Sequence, residues 1–159
     1  MGGQATPATR ALDRLGIAYT LHAYRHDSRA TGYGEEAATA LQVSQPQLFK
    51  TLIATLDDRL VCAVVAVSGQ LDLKALARAM SGKRAVLAEP AVAQRATGYV
   101  LGGISPIGQR TRLPVVLDSS VAQFEAVYVS AGQRGLQLRL APTDLQRAAA
   151  ATVAAISTA

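Results

Sequence analysis

Read for the recurrence of apolar positions, the chain opens on a helix. Thr6-Pro7 has the form of an N-cap followed by proline in the first turn. Ala8, Ala11, Leu12 and Leu15 then supply a stripe at helical spacing, and Gly16 ends it. From Ile17 to Tyr24 the period drops to two, with Ile17, Tyr19 and Leu21 on one face and His22 and Tyr24 on the other, which predicts a strand. Arg25 to Tyr33 is polar and reads as a loop, and Gly34-Glu35-Glu36 opens a helical stretch to about Leu41. Phe49 to Leu56 and Leu60 to Val67 read as strands joined across Asp57-Asp58-Arg59, the clearest hairpin in the chain. Leu71 to Met80 predicts a helix stopped at Gly82, Ala85 to Leu87 a strand, and Pro90 to Arg95 a short helix. Strands at Val115 to Leu117, Ala126 to Ser130 and Leu136 to Leu140 follow, and Asp144 to Ile156 predicts a closing helix.

Short strands separated by helices of uneven length, without the regular alternation of a doubly wound sheet, argue for an α+β domain or a helix-decorated barrel. The 159 residues fit one domain spanning 1–159, long enough to bury about two-thirds of the surface its unfolded form would expose. Half the residues are hydrophobic and 17% are charged, which excludes a disordered chain, although alanine supplies much of the apolar half. A net charge of +5 favours an anionic partner such as nucleic acid or a phosphorylated metabolite, because lysines and arginines that neutralise phosphates release condensed counterions. Scattered charge on an ordinary basic protein is the alternative. The single cysteine, Cys62, lies in an apolar run and can form neither an internal disulfide nor a multi-cysteine metal site, which points to a reducing compartment. Met1 to Thr6 lacks the basic and apolar blocks of a secretory signal, and no apolar run is long enough to span a membrane, so the expected location is cytoplasmic.

The usual catalytic constellations fail one by one. Zinc would need three or four ligands, and His22 and His26 suggest no third, so they read as surface or loop residues and no metal is expected. Gly103-Ile104-Ser105-Pro106-Ile107-Gly108 misses the nucleophile-elbow spacing and puts proline after the serine, where a backbone N–H would be wanted. Cys62 among apolar strand residues reads as a buried thiol and a poor nucleophile. The glycine-rich stretch from Gly98 to Gly108 has neither a P-loop nor a dinucleotide fingerprint, so no nucleotide cofactor is expected. What remains is a loop of exposed amides, suited to a developing oxyanion or simply to a crossing between core elements. Lys50 interrupts Leu48-Phe49-Lys50-Thr51-Leu52-Ile53, either as a lysine snorkelling at a strand end or as an anion-binding lysine in a pocket.

Several longer motifs, in order and over nearly the whole chain, carry a resemblance. They are Thr6-Pro7-Ala8, His22-Ala23-Tyr24-Arg25-His26-Asp27, Phe49-Lys50-Thr51-Leu52, Ser68-Gly69-Gln70-Leu71-Asp72-Leu73-Lys74, the run from Ala93 to Pro106, and the run from Val127 to Leu136. In these the chain resembles the YbaK family of bacterial tRNA deacylases, relatives of the editing domain inserted in bacterial prolyl-tRNA synthetases. The resemblance implies a mixed fold around a partly open β-barrel surrounded by helices. It also implies a trans-editing deacylase that cleaves the ester between a wrong amino acid and the terminal adenosine of tRNA. Cys-tRNA(Pro) is the usual substrate, Cys-tRNA(Cys) a further one, and relatives specialise in alanine and other small residues. The implied partners are the acceptor end of an aminoacyl-tRNA and, as a candidate, prolyl-tRNA synthetase, with neither DNA nor membrane. By resemblance Lys50 is the pocket lysine near the phosphate or ribose, and Gly102, Gly103, Ile104, Ser105 and Pro106 form the Gly-x-x-x-Pro loop whose amides at Gly102 and Gly103 face the ester carbonyl. Tyr24, Tyr33 and Ser130 align with pocket-lining positions. The chain departs from the pattern at Gln137, where close relatives carry an acidic residue; read from the residues alone, Gln137 is an exposed strand position. A non-catalytic tRNA-binding or synthetase-binding module, and a hydrolase of small thioesters or acyl nucleotides, are the competing readings.

Overall fold

Helix α1 (Pro7–Leu15) is fixed at both ends by the residues that predict it. Thr6 Oγ1 accepts from the Thr9 N–H at 3.1 Å, and the Thr6 N–H donates to Thr9 Oγ1 at 2.8 Å, a reciprocal cap. The Thr6 hydroxyl also donates to Ala131 O at 2.6 Å, which ties the helix start to a distant strand. Gly16 takes the left-handed conformation and closes the last turn. This computed structural model describes residues 5–30 and 32–158, so the stretch Met1 to Gln4, on which the expectation about a secretory signal partly rests, lies outside the described residues.

Two sheets organise the rest. Strands β1 (Thr20–Ala23), β7 (Val127–Gln133) and β8 (Leu136–Leu140) form an antiparallel sheet in the order β1-β8-β7. The larger sheet runs β5 (Ala85–Leu87), β2 (Phe49–Leu56), β3 (Arg59–Ala66), β6 (Val115–Asp118), β9 (Thr152–Ala154), with β6 and β9 parallel to their neighbours. A two-stranded ribbon pairs β4 (Gln70–Leu71) with β10 (Ser157–Thr158). The remaining helices are α2 (Tyr33–Leu41), α3 (Leu73–Ala79), α4 (Pro90–Thr97) and α5 (Pro142–Ala149). The two larger sheets meet at a parallel bridge between Leu48 and Tyr128 and do not close into a barrel. The α+β class expected from the sequence therefore holds, and the barrel is open to the extent of being two sheets.

The β2–β3 hairpin is buried on both faces, which explains its nearly continuous apolar sequence. Phe49, Ile53, Cys62 and Val64 pack toward β7 and β8, together with Leu12 and Ile107. Ala54, Leu56, Val61 and Val65 pack the other way, against Leu76 of α3 and Ile156.

Three elements differ from expectation, each for a reason that local periodicity does not carry. The strand predicted from Ile17 begins only at Thr20, because the Ile17 N–H is drawn back to Leu12 O at 3.0 Å as part of the α1 cap. The helix predicted from Leu71 begins at Leu73, since Leu71 pairs with β10 and Asp72 caps α3 by accepting from the Ala75 N–H. The closing helix predicted to Ile156 stops at Ala150, whose φ is +51°, and the chain re-enters the sheet. Leu145 and Ile156 would share a helix face, which is why a helix is expected. Parallel pairing of Thr152 and Val153 with Val116 and Leu117 wins instead, and Ile156 is fully buried in the second core.

Asp118 anchors that final segment. It is almost fully buried, and its Oδ1 accepts from the Ile156 N–H at 2.9 Å while Oδ2 accepts from the Ser120 N–H at 3.1 Å and its hydroxyl at 2.5 Å. Burial works against the charge, but these hydrogen bonds outweigh it and hold the carboxyl below the ordinary aspartate value. The ionised form is thus favoured by folding. Its stabilisation is fully present above the unfolded aspartate range of about 4 and is lost as pH falls through the folded value below it. Asp118→Ala is expected to cost about 2–3 kcal/mol at neutral pH, measured by urea unfolding. The difference from wild type should shrink as the medium is acidified below about pH 4.

A candidate active site between the two sheets

A cavity of about 210 Å³ lies between the two sheets, next to the bridge at Leu48. Phe49, Lys50, Thr51 and Leu52 of β2 form one wall, with Ser130 of β7 and Gln137 of β8 opposite. The start of α2 contributes Tyr33, Gly34 and Glu35, and the glycine-rich loop contributes Leu101, Gly102 and Ile104. Of the residues expected from the sequence, the structure thus brings Lys50, Tyr33, Gly102, Ile104 and Ser130 to one cavity.

The other expected residues sit elsewhere. Tyr24 packs with Leu48, Val67 and Tyr128 beside the cavity. Burial raises its pKa, and hydrogen bonds from the Gly135 backbone and the Gln137 side chain draw it partly back, against a further rise from the Glu36 charge. Ser105 is fully buried, with its hydroxyl taking the Ile107 N–H at 3.3 Å, and Pro106 lines a separate depression with Arg112 and Leu113. Gly103 stands directly behind the wall, where a Cβ would lie 2.8 Å from the Gln133 Cα.

The glycine loop is a type II turn, and this corrects the assignment of its amides. Gly102 at its third position has φ +82°, and the Gly103 N–H donates to Val100 O at 2.9 Å. That donor is consumed by the turn, so it does not face a ligand. Among the described residues no acceptor takes the N–H of Gly102 or of Ile104, and both residues line the cavity. A Cβ on Gly102 would lie 2.5 Å from the Tyr33 ring, so glycine is required both for the backbone angle and for this close approach. Arg134 braces the turn from outside: its Nε donates to Leu101 O at 2.7 Å, and its guanidinium stands 5.1 Å from the Tyr33 ring centroid. Tyr33 and Arg134 therefore hold the loop between α2 and the β7–β8 turn. Sequence inspection passes over Arg134 because nothing at its own position signals a contact with residue 101.

Lys50 is half-buried and makes no ion pair among the described residues. Ser130 is buried, and its hydroxyl accepts from the Gly132 N–H at 3.1 Å. Neither histidine serves it as a base: His22 Nε2 lies 2.8 Å from Thr20 Oγ1, and His26 Nδ1 lies 2.8 Å from Glu36 Oε1. Gln137, expected to be exposed, is only 6% exposed, and among the described residues neither its Oε1 nor the buried Oγ1 of Thr51 has a hydrogen-bond partner. The alternation of Leu136, Leu138 and Leu140 places Gln137 on the opposite face, but that face is the cavity and not solvent. Among the described residues no three of His, Cys, Asp and Glu converge on a metal-sized site, and no helix is long and apolar enough to cross a membrane.

Cys62 lies in the core, with Gln109 Nε2 at 3.5 Å from its sulfur, and burial pushes its thiol up to about 12. It should therefore resist alkylation by iodoacetamide at pH 8 in the folded protein and react readily in urea. Cys62→Ala should retain whatever activity the wild type has.

Comparison with known proteins fits this geometry. The family of aminoacyl-tRNA editing domains matches residues 29–148. A protein of Enterococcus faecalis named "Putative Cys-tRNA(Pro)/Cys-tRNA(Cys) deacylase EbsC" is 34% identical over 143 residues, which are 87% of this chain and 85% of that protein. The Escherichia coli "Multifunctional Ser/Thr-tRNA deacylase ProXp-y" is 34% identical over 90 residues, and the match spans about half of each chain, 56% of this one and 54% of that protein. A crystal structure described as that of "a putative trans-editing enzyme for prolyl tRNA synthetase" superposes with a TM-score of 0.85 at 25% identity, covering 99% of this chain and all of that one. A second solved structure, of a hypothetical protein, superposes at 0.86 with 23% identity over 96% of this chain and all of the other, and shows the same fold.

Proposed function

Given that the chain belongs to the aminoacyl-tRNA editing-domain family, we propose that it hydrolyses mischarged Cys-tRNA(Pro), with Cys-tRNA(Cys) as a further substrate. The observation that carries this reading is the cavity itself, which gathers a lysine without an ion-pair partner among the described residues and a glycine turn whose Gly102 and Ile104 amides no described acceptor takes. The names of the E. faecalis and E. coli relatives support the deacylase class and differ in the amino acid removed.

In the proposed reaction the Gly102 and Ile104 amides receive the ester carbonyl oxygen, and the Lys50 ammonium holds the phosphate or ribose of the terminal adenosine. Addition of water at the carbonyl carbon places negative charge on that oxygen; collapse breaks the C–O bond to the ribose, whose oxygen takes up the proton the water gives up, so that one water yields the free amino acid and the ribose hydroxyl. Amides fixed before the reaction stabilise that charge without reorganising, and one such donor contributes about 3 kcal/mol. Holding the acceptor end in place supplies the rest of the advantage through orientation. Hydrolytic removal is needed because a synthetase site cannot strongly reject a near-isostere by packing alone. The net charge of +5 suits a tRNA ligand. A small domain has little surface for reading a whole tRNA, so selection of the tRNA is assigned to prolyl-tRNA synthetase as partner. A strong preference of the isolated protein for one deproteinised tRNA would refute that assignment.

The decisive experiment measures release of cysteine from Cys-tRNA(Pro), with Ala-tRNA(Pro) and Pro-tRNA(Pro) alongside. Lys50→Ala and Gly102→Ala are each expected to lower kcat/KM about a hundredfold or more, with Pro-tRNA(Pro) spared by the wild type. Preference for alanine would keep the deacylase and move its specificity. Bound tRNA with no release from any ester would refute the reading.

A further inference from the structure

Lys50 lines the cavity wall, and a second cation, Arg134, is fixed at the rim. The Arg134 Nε donates to Leu101 O at 2.7 Å and the guanidinium stands 5.1 Å from the Tyr33 ring centroid, and both Leu101 and Tyr33 line the cavity. Among the described residues, the other guanidinium groups that donate a hydrogen bond lie elsewhere. Arg29 is paired with Asp27, while Arg59 and Arg147 donate to Met80 O and Leu15 O, neither of which belongs to a lining residue. Arg134 is exposed and forms no ion pair among the described residues, although Glu35 lines the same cavity. A guanidinium is a planar fork with five N–H donors. With Nε committed to Leu101 O, the edge formed by Nη1 and Nη2 makes no hydrogen bond among the described residues and suits two oxygens of one anion.

We infer that Arg134 binds the phosphodiester that leads into the terminal adenosine of the substrate, in addition to bracing the glycine turn. This inference rests on the deacylase reading above and assigns a residue to the nucleotide end of that substrate. The aminoacyl ester and the phosphodiester leave opposite ends of one ribose. Amides at Gly102 and Ile104 that receive the ester carbonyl therefore call for an anion-binding group a sugar's length away, and Arg134 is anchored to Leu101, the residue next to Gly102. A phosphodiester spreads its charge over two equivalent oxygens, which matches the free edge of the fork. A guanidinium already held by a carbonyl and a ring also loses less side-chain freedom on binding than one that moves freely in solvent. Because Nε stays on Leu101 O, one planar group joins the bound phosphate to the turn whose amides meet the developing oxyanion, so the nucleotide end helps to position the reacting end.

The test uses tRNA(Pro) charged with cysteine, serine or alanine, carrying either its native last phosphodiester or an uncharged methylphosphonate in that linkage alone. For whichever amino acid the wild type releases fastest, kcat/KM is expected to favour the native linkage about tenfold or more. Arg134→Gln should lower that preference about tenfold, through a higher KM for the native linkage. The preference is a ratio within one preparation, so partial unfolding of a variant does not move it. Arg139→Gln, which removes the same charge from a position outside the cavity, should leave it unchanged. A loss of activity in Arg134→Gln that is equal for the two linkages overturns the inference and leaves Arg134 as a brace only. An equal fall of the preference in Arg139→Gln overturns it in favour of the overall charge of the protein. Equal hydrolysis of the two linkages by the wild type overturns it while leaving the deacylase intact. Release from none of the esters overturns both.

Discussion

The joining of two sheets at Leu48 is the constraint on which the site depends. The bridge from Leu48, just before β2, to Tyr128 ties the larger sheet to the β1-β8-β7 sheet, and the cavity lies beside it. The β2–β3 hairpin cannot move to close the gap, because both its faces are buried, one among β7, β8 and α1 and the other under α3 and Ile156. Close packing of that kind leaves few low-energy rearrangements. The cavity thus lies at the start of a doubly buried strand, which is where Lys50 and Thr51 fall.

The glycine turn faces that opening under a different kind of restraint. Its backbone is held by one internal hydrogen bond, by contact of Gly102 with the Tyr33 ring, and by Arg134 on Leu101 O. These supports come from the turn itself, from α2 and from the β7–β8 turn, so a shift of any one is resisted by the other two. Donors fixed in this way cost no reorganisation when charge develops on a bound carbonyl.

Much of this architecture was legible in the residues, and the division follows range. Thr6-Pro7 and Gly16 cap a helix through bonds to their own neighbours, and Asp57-Asp58 turns a hairpin whose strands are adjacent, so both could be read locally. The path of residues 150–158 could not, because an alanine-rich run favours helix and only β6, more than thirty positions earlier, supplies the competing partner. The cavity shows the same split. Lys50 among leucines and the Gly102 backbone stand out by composition, whereas the loss of the Gly103 amide to Val100, the burial of Gln137 and the brace from Arg134 are products of folding.

The electrostatics of the cavity explain why a lone lysine there is useful. Glu35 is the carboxylate that lines the same space, yet it lies in the first turn of α2, where the helix dipole favours negative charge, and it forms no ion pair with Lys50. Glu36 is committed to His26 and to the Asp27 N–H at 2.6 Å. With an amide and not an acid at position 137, no carboxylate on the facing sheet draws the ammonium away. Among the described residues Lys50 has no ion-pair partner, and an anionic group on a ligand gains a charge-assisted hydrogen bond without first breaking a salt bridge. That asymmetry leaves the ammonium open to an anionic group, while Ser130 and Gln137 of the facing sheet present only neutral side chains to the cavity.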